Sequence, residues 1–275
     1  MAVERVHDAG DPRVAGYRAV RDGELLHRLG LFVAEGRHIA RRVIEDDRYR
    51  IESLLVNDAA LNGLEPVLGR LGADVPIFTG SQEMLAAVAG YDVHRGCLAL
   101  VHRPAPLSID AVAKSATMLL VLEGVSNPDN VGGIFRNAAA FGAGGVVLSP
   151  SCCDPLYRKA IRTSMGAALR VPFARVDPDD WPDALMRLEA AGFATVALTP
   201  REPSETLDAF AARPRAARVA VILGTEGAGL TPAVETAADF RVRIPISSEV
   251  DSLNVAVAAA IALRELGRFG LHYKR

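Results

Sequence analysis

Short, uninterrupted apolar runs recur through the C-terminal part of this sequence, and stretches with helical spacing lie between them. The clearest runs are 117–122, 145–148, 195–198, 219–223 and 241–246, with 171–176 as a further candidate. A strand with one wet face alternates apolar and polar residues, whereas a strand apolar at every position must be covered on both faces. Helical patterns over 131–141, 180–191 and 253–269 supply the covers. The predicted architecture is therefore α/β, with a parallel sheet between helices.

The first third carries its own, smaller alternation. Runs at 31–34, 51–56, 75–78 and 97–101 read as strands, and 38–45 and 61–71 as helices. Ser81 is placed to cap another helix that runs through Ala89. Between the two regions lies Arg103-Pro-Ala-Pro-Leu107, whose prolines favour extended chain and break helices. We place the boundary there, giving an N-terminal α/β domain at 1–105 and a larger C-terminal domain at 106–275.

Composition narrows the partners. The chain has 275 residues, of which 50% are apolar and 23% charged, enough to bury a core without metal or disulfides. A net charge of -2 excludes a globally basic nucleic-acid binder but leaves room for a local basic patch. In the N-terminal domain Arg37, Arg41, Arg42, Arg48 and Arg50 crowd one stretch, with Glu45, Asp46 and Asp47 among them. Cys97, Cys152 and Cys153 make an odd set without a CxxC pair, which suits small apolar residues in a reducing compartment. No apolar leader opens the sequence, and no run approaches the ~20 apolar residues that span a bilayer. The expectation is a cytoplasmic protein, without metal, since His, Cys and carboxylates show no ligand spacing.

In open parallel sheets, ligands bind beyond the carboxyl ends of the strands. Three such ends carry polar, glycine-rich loops: NPDNVGGIFRNAAAFGA from Asn127, LGTEGAGL from Leu223 and IPISSEVDSLNVAVAAAIAL from Ile244. Taken singly, each has a structural explanation. Asn130 and Ser252 can cap the helices that follow, Arg136 can be a solvated helix arginine, and Glu226 can be a turn residue. Gly224, Gly227 and Gly229 can serve backbone geometry alone.

Together and in this order, the three segments resemble the SpoU (TrmH-like) branch of the SPOUT RNA 2′-O-methyltransferases. Ile161-Arg-Thr-Ser-Met-Gly166 with Val171-Pro172 is similar to the segment between the family's motifs, so the resemblance covers nearly all of 117–270. Phe32-Val-Ala-Glu-Gly36 is similar to the L30e-like substrate-binding domain often joined to that family. The resemblance implies a SPOUT domain with a deep trefoil knot, an exception to the near absence of knots. It also implies a homodimer that uses S-adenosylmethionine to methylate a ribose 2′-hydroxyl, with ribosomal RNA favoured over transfer RNA. It points to Asn130, Arg136, Glu226, Ser252 and Asn254 as the catalytic set. Cofactor contacts are implied for Leu223, Gly224, Glu226, Ile244 and Leu253. Arg136 is the leading catalytic candidate. Its guanidinium stays protonated at ordinary pH, which favours gripping a phosphate and stabilising a developing alkoxide, with proton abstraction left open. A base-methylating SPOUT enzyme and a non-catalytic RNA-binding module are the rival readings.

Overall fold

The structure is a computed structural model that describes residues 3–18, 22–212, 214 and 217–267. It divides into two compact units, one of residues 1–105 with 156–162 and the other of residues 106–155 with 163–275.

The first unit holds β1 (Val3–Arg5), α1 (Asp22–Leu29), β2 (Leu31–Glu35), α2 (Arg37–Glu45) and β3 (Ile51–Val56). It continues with α3 (Asp58–Leu68), β4 (Ile77–Thr79), α4 (Gln82–Ala89) and β5 (Cys97–His102). The strands form a mixed sheet in the order β1-β4-β3-β5-β2, with parallel β1/β4/β3 and antiparallel β3/β5/β2. α2 forms because Ile39, Ala40, Val43 and Ile44 fall on one buried face. Ser81 caps α4 as expected, accepting from Met84 N. α3 begins and ends earlier than expected, because Asn57 accepts from Ala60 N to cap it and the chain leaves the helix at Gly69. The brief β1 and the polar α1 carried too little pattern to be read from sequence.

The second unit holds α5 (Ile109–Ala113), β6 (Met118–Leu122), α6 (Pro128–Phe141), β7 (Gly145–Leu148), β8 (Phe173–Arg175) and α8 (Leu185–Ala190), with α7 (Arg158–Thr163) straddling the division. It closes with β9 (Ala194–Leu198), β10 (Glu205–Thr206), α9 (Leu207–Ala212), β11 (Val219–Leu223), α10 (Pro232–Ala237), β12 (Phe240–Arg243) and α11 (Val255–Leu266). Its seven-stranded sheet runs β10-β12-β9-β11-β6-β7-β8 with every pairing parallel. All residues of β11 and β6 are buried, as an apolar run at every position requires. Leu119, Val121, Ala220 and Ile222 pack with Ile109, Val112, Leu185 and Leu188 on one face. The alternate Leu120 and Leu122 turn to the other face, where α6 and α11 pack together.

Several boundaries differ from expectation. The run 241–246 is a strand only to Arg243: its partner β9 ends at Leu198, and Pro245 has no N–H to offer a ladder. The helix expected over 180–191 shortens to α8, with Pro182 interrupting the approach after a 3-10 turn at Pro178–Asp180. α6 starts at Pro128 and not at Val131, and α11 starts at Val255; the expected end of that last helix, Phe269, lies outside the described residues.

Candidate active site

Parallel pairing sets the carboxyl ends of β9, β11, β6 and β7 along one sheet edge, with Leu198, Leu223, Leu122 and Leu148 in register. The chain leaves that edge under tight constraint. Glu123 N donates to Leu223 O and Ser149 N to Leu122 O, each at 2.8 Å. Gly124, at φ 67°, donates its N–H to the buried Ser149 hydroxyl at 3.0 Å.

Beyond this edge three distant loops meet at one amide. Asn254 donates through Nδ2 to Asn130 Oδ1 and to Glu226 Oε1, both at 2.9 Å. Its Oδ1 accepts from Ala256 N at 2.9 Å and Val257 N at 3.3 Å, so the same side chain caps α11. The helix-cap readings of the sequence therefore fall on different residues. Asn127 caps α6 by accepting from Asp129 N, and Asn254 caps α11; Asn130 and Ser252 cap neither. Asn130 is the third residue of α6 and is buried at 7% exposure, while Asn254 and Glu226 are exposed. A buried amide without a capping duty meets its hydrogen-bond demand through the third loop.

The loop after β11 is shaped by the glycines expected to serve backbone geometry, and held by charged residues that sequence reading missed. Gly227 and Gly229 take φ 84° and 73°, folding the loop so that Thr225 bridges Gly229. A Cβ on Gly224 would lie 2.3 Å from Gly229 C and 2.4 Å from Leu230 N. Only glycine fits there, because the loop's own backbone crosses it. Arg201, just after β9, donates to Ala228 O at 2.7 Å and Leu230 O at 2.8 Å. The buried Glu235 accepts from Arg201 at 3.3 Å, Arg241 at 3.0 Å and Thr199 at 2.6 Å, which compensates its desolvation. From the other side, the buried Glu123 carboxylate accepts from Thr231 N and Oγ1 at 2.8 Å and from Trp181 Nε1 at 3.2 Å. The strands flanking β11 thus each supply one charged side chain that fixes the end of its loop. Glu123 had a visible signal, a carboxylate directly after a wholly apolar strand. Arg201 had none.

The remaining candidates stand apart from this hub. Arg136 projects from α6 into solvent and makes no hydrogen bond or ion pair among the described residues. Its neighbour Asn137 turns inward and donates to Ala256 O at 2.7 Å, tying α6 to α11. Close helix contact is possible because Gly133 has no side chain: a Cβ there would reach Ala256 Cβ at 3.0 Å. Ser252 is exposed, and Ile244 and Leu253 are half-buried. Leu223 lies in the core at 2% exposure, so only its backbone is available at the edge. Among the described residues, no three His, Cys, Asp or Glu side chains group as a metal site.

Chemically, the edge offers half-buried apolar side chains, tightly folded backbone and a neutral amide network with one carboxylate. The Arg136 guanidinium, without a hydrogen bond or ion pair among the described residues, stands six positions on from Asn130 in α6. This set suits a small ligand with both apolar and polar parts better than a metal ion. The model of the SpoU rRNA Methylase family matches residues 117–264, which contain every one of these groups. A protein of Mycobacterium tuberculosis (strain ATCC 25618 / H37Rv) described as an uncharacterized tRNA/rRNA methyltransferase is 40% identical over 276 residues, covering 99% of this chain and 94% of its own. The 23S rRNA (guanosine(2553)-2′-O)-methyltransferase RlmP of Bacillus subtilis (strain 168) is 24% identical, over 96% of this chain and 99% of its own. The structure of an AdoMet-bound rRNA methyltransferase from Sinorhizobium meliloti superposes with a TM-score of 0.82 at 24% identity, over 98% of this chain and 99% of that one.

Proposed function

This chain belongs to the SpoU rRNA Methylase family, and from that premise we propose that it transfers a methyl group from S-adenosylmethionine to a ribose 2′-hydroxyl of RNA. The observation that carries the proposal is the Asn130–Asn254–Glu226 hydrogen-bonded set, which unites the three motif loops at one strand edge. Ribosomal RNA is favoured, since RlmP acts on 23S rRNA.

The residues present fit the cofactor. The backbone from Leu223 to Glu226, with half-buried Ile244 and Leu253, would hold it, and Gly224 keeps that backbone in its close-crossing form. The cofactor supplies an electrophilic methyl on a sulfonium. The protein must then hold the ribose oxygen in line and accommodate loss of its proton. Arg136, without a hydrogen bond or ion pair among the described residues, is assigned to grip the neighbouring phosphate and stabilise the developing alkoxide. Asn254 and Ser252 orient the ribose or the cofactor's amino-acid end, Asn130 fixes the Asn254 amide, and Glu226 orders its loop.

The same family premise supports an L30e-like N-terminal unit, a trefoil knot in the C-terminal unit and a cytoplasmic homodimer. Val257 and Ile261, 48% and 37% exposed one turn apart on α11, supply an apolar stripe for a second copy. No described helix is long and apolar enough to cross a membrane. The direct test is incubation with methyl-labelled cofactor and separate ribosomal and transfer RNA pools, followed by mapping of the label. Label mapped to a ribose of ribosomal RNA supports the full proposal, label on a base overturns the ribose target, label in transfer RNA alone overturns the preferred substrate, and label in neither overturns the activity.

A further inference from the structure

The arginine cluster of the N-terminal unit comes apart in three dimensions. Arg41 donates to Glu45 at 2.8 Å, Arg48 to Asp46 at 2.6 Å, and Arg50 is engaged with His102 at 2.8 Å. These cations are neutralised or occupied locally. Arg37 is different: among the described residues it makes no hydrogen bond or ion pair. Its side chain lies along α3, where a Cβ on Gly63 would stand 2.5 Å from its Cδ and Nη1. Glycine inside a helix costs about 1 kcal/mol relative to alanine, and here it makes room for a guanidinium.

A second unengaged guanidinium joins it from far along the chain. Arg95 and Arg37 line one cavity of about 290 Å³ with Asn57, Ala59 and Ala60. Arg95 has no hydrogen bond or ion pair among the described residues and is exposed. Its backbone sits at φ 57°, a region that arginine rarely adopts, and Gly96 follows at φ 57°. A Cβ on Gly96 would strike Asn57 Nδ2 at 2.0 Å, so the turn is packed into this conformation. Gly36, just before Arg37, is also at positive φ, 93°, and donates its N–H to Cys97 O at 2.8 Å. A strained turn at Arg95 and a glycine turn before Arg37 thus present two cations, without an ion pair among the described residues, to one concavity, an arrangement that folding alone does not require.

We propose that this cavity is a backbone-phosphate site for the substrate RNA, with Arg37 and Arg95 each taking a phosphate oxygen pair. It rests on the reading that the protein acts on RNA. A planar guanidinium matches a phosphate bidentately, and the Asn57 amide beside it adds polar contact without opposing charge. Positioning by phosphate contacts fixes the register of an RNA without reading its sequence.

The test measures affinity of fluorescently labelled, protein-free ribosomal RNA across a salt series. The variants are Arg37→Ala with Arg95→Gly, glycine being chosen to tolerate the positive φ. The pair Arg41→Ala with Arg48→Ala removes the same net charge from already paired sites. The first pair is expected to bind at least about tenfold more weakly, with the slope of log K against log salt shallower by about 1.4 to 1.8. The control pair is expected to change the affinity less than about threefold, and Arg37→Lys with Arg95→Lys to recover most of the slope. Cofactor affinity, measured by calorimetry, should be unchanged in all of them, which also shows that they fold. Wild-type slope in the Arg37→Ala/Arg95→Gly protein, or an equal loss in the control pair, would overturn the site. Failure of the wild-type protein to bind or methylate RNA overturns the underlying reading, and the site with it.

Discussion

Replacing Asn254 by aspartate separates the two duties of one side chain. The new carboxylate still accepts from Ala256 N and Val257 N, and a negative charge at a helix N-terminus adds about 0.3–1 kcal/mol of favourable interaction. What vanishes is donation to Asn130 and Glu226. A neutral hydrogen bond contributes about 0.5–1.5 kcal/mol and one to a charged group about 1.5–3. Solvent exposure at Asn254 and Glu226 places both near the lower limits, about 2 kcal/mol together. If that stabilisation is expressed in the transition state, transfer slows by about 30-fold, and more once the introduced carboxylate and Glu226 repel. Asn254→Ala loses the cap as well, which costs about 1 kcal/mol of stability. Urea unfolding and single-turnover methyl transfer measured in parallel should therefore show both variants slow and the alanine variant less stable than the aspartate variant by about the 1 kcal/mol or more of the lost cap. Adding Glu226→Gln to Asn254→Asp lets the glutamine amide donate back to the carboxylate, and activity should partly recover. Wild-type turnover in Asn254→Asp, or equal destabilisation by both substitutions, would refute the reasoning.

Other perturbations follow from the same geometry. Arg136→Ala should abolish transfer while calorimetric cofactor affinity stays within about threefold, since the side chain makes no hydrogen bond or ion pair among the described residues. Gly224→Ala drives a methyl into the Gly229–Leu230 backbone; stability should fall by about 1–3 kcal/mol in urea unfolding and cofactor affinity by at least about tenfold. Arg201→Lys cannot span two carbonyls and Glu235, so KM for the cofactor should rise while kcat changes less. Burial pushes the Cys97 thiol up to about 12 from an ordinary 9. The folded state then holds a proton that the unfolded state releases, so this stabilisation is complete below pH 9 and is lost between about 9 and 12. Native protein should accordingly resist alkylation at Cys97 at pH 8, as peptide mass spectrometry would show.

The sheet was legible because its strands are apolar at every position, a pattern only two-sided burial explains. Residues 145–148 and 219–223 are strands at the limits expected. The site was legible as loops, and less so as roles. Two asparagines three apart, Asn127 and Asn130, compete for one cap, and Pro128 at the first helical position decides for Asn127. Ser252 and Asn254 compete in the same way, and packing of α11 against α6 settles it for Asn254. Arg201, Glu235 and Trp181 act through tertiary contacts that no local spacing encodes. The same reason hid the placing of Arg37 beside Arg95, since nearby Arg41 and Arg48 are matched by acids and Arg50 by His102.

Alkaline hydrolysis of RNA labelled by the protein bears most directly on the central assignment, because a methyl on the 2′-oxygen blocks the attack that cleaves the adjacent phosphodiester. The assignment requires the label to appear in an alkali-resistant dinucleotide. Label released wholly in mononucleotides would place the methyl on a base and contradict it.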